Sequence, residues 1–372
     1  MSPLEAIVAL NMLPKIGPVR VQRLLDAFHT PQAILGAPVD RLTRVEGIGP
    51  ETARIIHSWQ DHADPAAEIN EARERGISII TRDSESYPNP LLQTYDPPLL
   101  LYVWGELKPT DKHAIGIVGS RRATTYGRNT TKKLSYQIAA AGFTIISGLA
   151  RGIDTTAHEA AIAAAGRTIA VIGSGLGKLY PPENFALAEK IASGHGAVVS
   201  EFPLSTAPDK QTFPMRNRIV AAWSRALLVT ECPAWSGSLI TANLAAEYGK
   251  PIFAVPGPID KPTSAGCNQL IRDGATLVSD SSHVLDDLGQ LPFSRPTPTT
   301  DPADPAEPEQ PAPASLSADE STILDALAPG EATVDLVIER SGLPAHIVTT
   351  TLLKLEIKHR VIALPGFRYA AR

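Results

Sequence analysis

Apolar and polar positions alternate along residues 111–290 in a way that predicts a parallel β-sheet. Short apolar runs recur between longer alanine-rich stretches such as 154–165 and 237–248. A strand buried on both faces gives such a run, and the stretches between runs are typical of crossover helices. The pattern predicts a Rossmann-like doubly wound α/β domain. The predicted strands are AIGIV at 114–118, FTIIS at 143–147, TIAVI at 168–172, AVVS at 197–200, ALLVT at 226–230, PIFAV at 251–255 and ATLVS at 275–279.

Residues 1–64 show a helical pattern and contain two similar turns. LPKIGPVRVQRLL at 13–25 and VEGIGPETARII at 45–56 each place Gly-Pro just before an amphipathic run. This is typical of a small SAM-like, helix-hairpin-helix domain, in which turn amides at a helix N-terminus face a DNA phosphate. The alternative is a packing domain that keeps only the hairpin shape, and Lys15 occupies a turn position where glycine is usual. Residues 65–110 are interpreted as an extension that connects this domain to the sheet.

The composition of the sequence changes at residue 291 and again at residue 319. Residues 291–318 are acidic and rich in proline, with eight of the 33 prolines between 291 and 316, which predicts an extended, semi-stiff linker. Residues 319–372 then show three helical patterns, followed by RVIALPGFRYAA, whose two short apolar runs predict a hairpin. Three helices and a hairpin predict a C-terminal winged-helix domain.

The composition limits the compartment and the chemistry. The 372 residues contain no long uninterrupted apolar run and no basic-apolar-small leader, so we expect a cytoplasmic protein without membrane contact. Cys232 and Cys267 are too few for a disulfide framework or a structural zinc site. The nine histidines show no metal-ligand spacing, so no metal site is expected either.

The distribution of charge points to the predicted sheet domain. The net charge of −5 by itself disfavours nucleic-acid binding. However, residues 111–290 carry 17 cations and 14 anions, whereas residues 1–110 carry 10 and 14, and residues 319–372 carry 6 and 7. Because local potential governs the binding of polyanions, residues 111–290 are the segment in which we expect such a ligand.

The residues that follow the predicted strands form a candidate phosphate site. The carboxyl ends of parallel strands meet at one edge of a sheet, where ligands bind. Small residues there let a ligand approach the backbone, helix N-termini add partial positive charge, and arginines bind phosphate in a bidentate way. The candidate residues are Gly119, Ser120, Arg121, Arg122, Gly148, Arg151, Gly152, Lys178, Phe213, Arg216, Asn217, Arg218, Ser236, Gly237 and Ser238.

Standard nucleotide-binding motifs fit these loops poorly. IVGSRR at 117–122 lacks the G-x-G-x-x-G of a dinucleotide site. GSGLGKL at 173–179 has one residue too few between its glycines for a Walker loop, and Leu179 stands where a Ser or Thr must bind magnesium. We therefore expect no nucleotide cofactor.

Few residues suggest catalysis. Glu201 and Glu231, each at a strand end, are either a catalytic pair or carboxylates that orient Arg216 and Arg218, and we favour the second interpretation. His158 is a lone histidine in a helical stretch, which is more typical of a packing residue than of a general base. No catalytic residue is assigned.

Several long stretches resemble, in their order along the chain, the motifs of the DNA processing protein family DprA, also called Smf. The resemblance covers about residues 91–288, and the flanking helical and winged-helix domains match the family's layout. The stretches are VGSRRATTYG, ISGLARGIDTTAHEAAI, IAVIGSGLGKLYPPEN, SEFP, FPMRNRIVAAWS, SGSLITANLAAEYGKPIFAVPG and GCNQLIRDGA.

The resemblance implies a non-catalytic protein that binds single-stranded DNA in natural transformation. It also implies protection of that DNA from nucleases, help in loading the RecA recombinase, and a homodimer formed through the Rossmann domain. The phosphates at the sheet edge would then belong to a DNA strand, whose repeating charges suit several cationic loops along one edge. Phe213 either stacks on a base or plugs the core. The family's G-S-R, F-P-x-R-N-R and S-G-S motifs fall on residues 119–121, 213–218 and 236–238.

Two other functions stay open at the level of sequence. A related Rossmann family resembling lysine decarboxylases cleaves nucleoside monophosphates with a P-G-G-x-G-T loop and a nearby glutamate. The corresponding place here is 236–238 with Glu247, which lacks the double glycine. A transcription regulator would read duplex DNA with the winged helix, but that needs a basic recognition helix, and residues 319–372 are slightly acidic.

Overall fold

The computed structural model describes residues 1–289, 318–328, 330–357, 360–364 and 368–371. The chain divides into two compact units, Met1–Arg295 and Pro296–Arg372. The predicted linker at 291–318 lies outside the described residues except for its last position, so its extended character stays a prediction.

The first unit begins with the small helical domain that the two Gly-Pro turns predict. Its helices are α1 Pro3–Met12, α2 Pro18–Phe28, α3 Pro31–Leu35, α4 Val39–Leu42, α5 Pro50–His57 and α6 Pro65–Glu74. Gly17 and Gly49 are the N-caps of α2 and α5, and each helix starts at the following proline, whose fixed φ suits the first helical position. Leu10, Leu24 and Ile56 are fully buried in the core of this domain.

A mixed sheet with a mainly parallel body forms the centre of the first unit. Its strands are β1 Ile77–Thr81, β2 Leu100–Gly105, β3 Ala114–Val118, β4 Thr144–Ser147, β5 Thr168–Val171, β6 Gly196–Ser200, β7 Ala226–Val229, β8 Ile252–Ala254 and β9 Thr276–Leu277. The spatial order is β1-β2-β6-β5-β4-β3-β7-β8-β9. Strands β3 to β9 are parallel to one another, which confirms the strands predicted from the apolar runs.

The segment at 65–110 does more than connect two domains, which corrects the sequence interpretation. Its strands β1 and β2 extend the sheet, and both pairings are antiparallel: Ile79 faces Tyr102, and Tyr102 faces Ser200. The signal was present in the sequence, since LLYVWG is an apolar run as continuous as those of the parallel strands. A short helix, α7 Asn89–Leu92, lies between the two strands.

Helices cover both faces of the sheet, as in a doubly wound domain. They are α8 Thr125–Ala140, α9 Ile153–Ala163, α10 Phe185–Lys190, α11 Thr212–Trp223, α12 Gly237–Glu247, α13 Ala265–Arg272 and α14 Ser282–Leu288. On one face, Ile117 of β3 packs in a cluster with Leu134 of α8. On the other face, Leu227 of β7 packs in a cluster with Ile219 of α11 and Ala242 of α12.

The second unit has the winged-helix arrangement predicted from its three helical patterns and terminal hairpin. Its elements are α15 Ala318–Leu327, β10 Ala332–Thr333, α16 Val334–Ser341, α17 Ala345–Ile357, β11 Val361–Leu364 and β12 Arg368–Ala371. The strands form a small sheet in the order β10-β12-β11. Ile323, Val337 and Leu352 join one buried cluster, so the helices and the hairpin enclose a core of their own.

Candidate nucleic-acid interface

A cavity of about 740 Å³ opens at the carboxyl ends of β3, β4 and β7. Strand β3 pairs with β4 on one side and β7 on the other, so this is the switch point at which doubly wound sheets bind ligands. We call this cavity the groove. The predicted site residues that line it are Gly119, Ser120, Arg121, Arg122, Gly148, Phe213, Arg216, Asn217, Ser236, Gly237 and Ser238.

Glu231, at the end of β7, fixes the loop that carries the first two arginines. Its carboxylate accepts hydrogen bonds from the backbone N–H of Thr124, at 3.0 Å, and from the hydroxyl of the same residue. Its carbonyl accepts the N–H of Ser120 at 2.8 Å. Glu231 therefore positions the β3 loop, and the expectation that it orients Arg216 is wrong.

Exposed cations stand on the rim of the groove. Arg121 and Arg122 are exposed, and so is Lys210, which the sequence reasoning missed. Across the described ranges none of these three forms an ion pair, whereas Arg151 is paired with Glu183. The guanidinium of Arg121 lies 5.0 Å from the ring centroid of Phe213, which fits a cation–π contact. The rim therefore offers uncompensated positive charge to a ligand.

Arg216 plays a different role, because it is buried beneath the groove with only 5% of its surface exposed. Its guanidinium donates to the carbonyls of Gly148 and Val171 and so ties α11 to the ends of β4 and β5. A side chain at Gly148 would collide with that guanidinium, which explains the glycine. Burial lowers the pKa of Arg216 to about 10, so it stays charged near neutral pH.

Asp154 organises the loop after β4 from inside the groove. Its carboxylate accepts the backbone N–H groups of Gly148 at 3.1 Å and Ala150 at 3.2 Å. Burial raises the pKa of this carboxyl, and the nearby Arg216 opposes that rise. We expected the small residues of this loop to offer their amides to a phosphate. These two amides are already bound, so rim side chains and helix ends supply the positive charge instead.

The S-G-S turn forms the N-terminus of helix α12 and lines the groove. Ser236 is the N-cap, and its hydroxyl accepts the N–H of Ser238 at 3.2 Å. The side-chain amide of Asn217, in the second turn of α11, donates to the carbonyl of Gly237 at 3.5 Å, so it contacts the first turn of α12. The positive end of the helix dipole favours an anion there. Glu247 lies at the other end of α12, about 15 Å along the helix axis from the S-G-S turn.

Aromatic rings lie beside the rim cations. Phe213 is half-buried and stands outside the hydrophobic clusters described above, so it does not plug the core. Its ring centroid is 6.0 Å from that of Tyr180, and the Arg151 guanidinium lies 5.8 Å from the Tyr180 centroid. Trp235 also lines the groove and is 98% exposed. Tyr180 was absent from the predicted site, and Trp235, which directly precedes the S-G-S motif, was not among the predicted DNA-binding residues.

Arg218 does not face the groove, which corrects its predicted placement. It is two residues after Arg216, and two helical residues are separated by about 200° around the axis. Its Nε lies 3.1 Å from a carboxylate oxygen of Asp96, and it also pairs with the buried Glu201. Burial raises the pKa of Glu201 to about 7, and the charge of Arg218 opposes that rise. The expectation that Glu201 orients Arg218 is confirmed.

Three further predicted site residues lie outside the lining of the groove. Gly152 has φ of 79° and packs closely against the Ser120 carbonyl, where a side chain would not fit. Lys178 is exposed in a 3₁₀ turn, Leu176–Lys178. Arg151 lines a small adjoining cleft that shares Arg121 and Phe213 with the groove.

His158 has the environment expected of a packing histidine. It is fully buried on α9, and its Nδ1 lies 2.7 Å from the Thr168 hydroxyl. Burial lowers the pKa of His158 to about 3, so the ring is neutral. Within the described ranges, no three His, Cys, Asp or Glu side chains gather as metal ligands. No helix in the same ranges has the length and apolar content needed to cross a bilayer.

The cations of the N-terminal hairpins are engaged within that domain. Lys15 forms an ion pair of 2.7 Å with Glu51, at the start of α5. Arg20 donates to the carbonyl of Gly47 at 3.1 Å, and Arg23 donates to that of Glu46 at 3.2 Å. Each contact joins the first hairpin to the second, which favours packing over DNA contact for this domain.

Comparison with protein families gives three adjacent matches along the chain. Residues 78–289 match the family described as DNA recombination-mediator protein A. Residues 307–366 match the DprA winged helix domain, and residues 7–61 match the SAM-like helix-hairpin-helix tandem. The chain is also similar to the protein Smf of Synechocystis sp., with 34% identity over 98% of both chains.

Two solved structures share the fold. DNA processing protein A (DprA) from Streptococcus pneumoniae has a TM-score of 0.67 and 32% identity, covering 77% of this chain and 98% of its own. DNA processing protein A from Helicobacter pylori, described with a single-stranded DNA binding mode, has a TM-score of 0.51 and 31% identity, covering 57% and 95%.

Proposed function

Since the chain belongs to the DNA recombination-mediator protein A family, whose members are named DprA or Smf, we propose that it binds single-stranded DNA in the groove. The observation that carries this proposal is the combination of unpaired rim cations with aromatic rings at the groove, of which Trp235 is 98% exposed. Arg121, Arg122 and Lys210 would neutralise successive phosphates, while Phe213 and Trp235 would stack on bases. Base–aromatic stacking and backbone neutralisation are the two features of single-strand binding without sequence preference.

A single strand suits these residues better than a duplex or a mononucleotide. Duplex bases are stacked on one another, so their faces are closed to Phe213 and Trp235. A mononucleotide would engage one anion site, but cations come from the β3 loop and from Lys210, close to α11. The Helicobacter relative, which is described with single-stranded DNA, supports the same choice.

We assign the groove no catalytic role. Asp154 lines the groove and Glu231 holds its β3 loop, and both carboxylates are bound to backbone N–H groups that shape the loops of the groove. A carboxylate held in this way positions the loop and is poorly placed to move a proton of the substrate.

The wider biological role follows from the family resemblance. We propose that the protein acts in the cytoplasm, protects incoming single-stranded DNA during natural transformation, and helps load the RecA recombinase. We also propose that it forms a homodimer through the Rossmann domain. These roles rest on the family and on the groove, because a protein that hands a strand to a recombinase must first hold it without sequence preference.

Titration of single-stranded and duplex oligonucleotides of equal length, at several salt concentrations, tests the central proposal. We expect tighter binding of the single strand, little dependence on base composition, and a fall of about 0.7 log units per log salt for each neutralised phosphate. An affinity that does not change with salt, or equal affinity for duplex, would contradict it. Incubation with nucleotides should release no base and no phosphate.

A further inference from the structure

We propose that the outward face of α8 is a second contact for the DNA backbone, which binds the strand as it leaves the groove past Arg122. The inference rests on the proposed single-strand function. It concerns a surface outside the groove and outside the predicted site residues. Its ligand is a phosphodiester chain, continuous with the segment held in the groove.

Helix α8 presents a stripe of exposed cations with one exposed aromatic ring. The helix sequence TYGRNTTKKLSYQIAA contains three cations and no carboxylate. Arg128, Lys132 and Tyr136 are exposed and lie four residues apart, so they form one stripe along the helix. Tyr136 is 47% exposed, which leaves an aromatic face beside the two cations. Cations interleaved with an exposed ring are typical of surfaces that bind single strands.

The stripe begins next to the rim of the groove and leads away from it. Helix α8 begins at Thr125, three residues after Arg122 on the rim. The Arg128 side chain turns back towards that rim, because its Nε donates to the carbonyl of Ala123 at 3.3 Å. From Arg128 to Tyr136 the helix rises about 12 Å, so the stripe leads away from the groove. A strand that passes Arg122 therefore meets Arg128 first and Lys132 next.

The neighbouring Lys133 differs from Arg128 and Lys132, because it is paired with a carboxylate of the protein. Its ammonium lies 3.2 Å from a carboxylate oxygen of Asp280, so its charge is balanced within the protein. In the part of the chain that the structure describes, Arg128 and Lys132 have no such carboxylate partner. Two adjacent lysines on one helix thus differ in charge compensation, and Lys133 is a matched control for Lys132.

The test compares oligonucleotides of two lengths, about 5 nucleotides and about 25 nucleotides, because only the longer one reaches beyond the groove. Affinities are measured with the full chain carrying Arg128→Ala and Lys132→Ala together. We expect about tenfold weaker binding of the long strand, less than twofold change for the short one, and a salt slope smaller by about 1.4 for the long strand alone. Lys133→Ala and Lys112→Ala, the latter just before β3, serve as controls and should change either affinity less than twofold.

The outcomes separate this inference from the proposed function. Unchanged binding of the long strand, or an equal loss on both lengths, would overturn the second contact while leaving the groove intact. A loss confined to duplex DNA would overturn it as well, since the face would then serve another ligand. Arg121→Ala, measured in parallel, should weaken both lengths; unchanged affinity in that variant would count against the groove itself. Circular dichroism of each variant checks that the fold is kept.

Discussion

The groove and the winged-helix domain both contain cations, but the rim cations of the groove form no ion pair within the described ranges, whereas two arginines of the winged-helix domain are bound within it. On the groove rim, Arg121 and Arg122 are exposed, and neither is paired within the described ranges. In the winged-helix domain, Arg368 pairs with Glu331 at 3.1 Å, and Arg340 donates to the carbonyl of Ala326 at 3.3 Å. A winged-helix fold, although known for binding DNA, is therefore not sufficient for DNA affinity. Affinity for a polyanion needs charge that the protein has not already neutralised.

The same contrast separates arginines within the first unit. Arg121 is exposed on a loop, whereas Arg218 is buried and paired with Glu201 and Asp96. Both belong to motifs of the family, so sequence alone assigns them one role. Their environments predict different consequences of removal: lost ligand affinity at Arg121 and lost stability at Arg218.

The largest expected effect is on stability, in Arg218→Ala. This change leaves Glu201 buried without its cation, and breaking a buried pair costs about 3–5 kcal/mol of the free energy of unfolding. The loss should depend on pH, because burial already raises the pKa of Glu201 from 4.5 to about 7. A raised carboxyl pKa means that stability falls as pH increases from the unfolded to the folded value. Removing Arg218 raises that pKa further, so the variant should be weakest in alkaline buffer.

Urea unfolding near pH 5.5 and near pH 8 measures the effect of Arg218→Ala, with the larger loss expected near pH 8. The double variant with Glu201→Gln is the matched control, and its loss should depend less on pH because the ionisable carboxyl is gone. Normal stability together with a specific loss of single-strand affinity would show that Arg218 contacts DNA, as its motif suggests.

The second prediction concerns ligand affinity on the rim. Arg121→Ala should weaken single-strand binding by about 1.5–3 kcal/mol, the value of a charge-assisted contact, without changing the helical content. Lys15→Ala is the control, because Lys15 is paired with Glu51 at 2.7 Å and should contribute little to DNA binding. If Lys15→Ala proved the more damaging in the same titration, the helix-hairpin-helix domain would be the main DNA site.

The sequence predicted the loops of the site better than the directions of its side chains. Parallel strands end at one edge, so apolar runs were enough to bring Gly119, Gly148 and Ser236 together. Periodicity could not tell which side of α11 faces the groove, because Arg216 and Arg218 are both buried and are separated only by Asn217. Lys210 was missed because it lies in the loop before α11 and belongs to none of the quoted motifs.

The antiparallel edge of the sheet was missed for a related reason. Strands β1 and β2 precede the regular strand–helix alternation, so the pattern that revealed the other strands did not extend to them. The apolar run 99–103 is fully buried, yet burial alone does not give the direction of a strand.

The smallest expected effect is that of removing the winged-helix domain. A chain truncated after Gly289 keeps α14 and the core clusters formed by the sheet and its helices, so the groove should remain folded. In the described part of the removed domain, the exposed cations on the third helix and at the start of the hairpin are Lys354 and Arg360. A winged helix that reads DNA concentrates more positive charge there, because phosphate neutralisation supplies much of the affinity.

We therefore expect the truncated chain to retain most of its affinity for single strands at the same salt concentration. What it should lose is contact with a protein partner or a second copy of the chain, since a small domain with its own apolar core and few exposed cations among its described residues suits a protein partner better than a polyanion. Side-by-side titration of the two chains checks the first expectation, and sedimentation of each, alone and with RecA, checks the second. A tenfold loss of affinity, about 1.4 kcal/mol, would show that the module binds the strand and would remove the contrast with the groove.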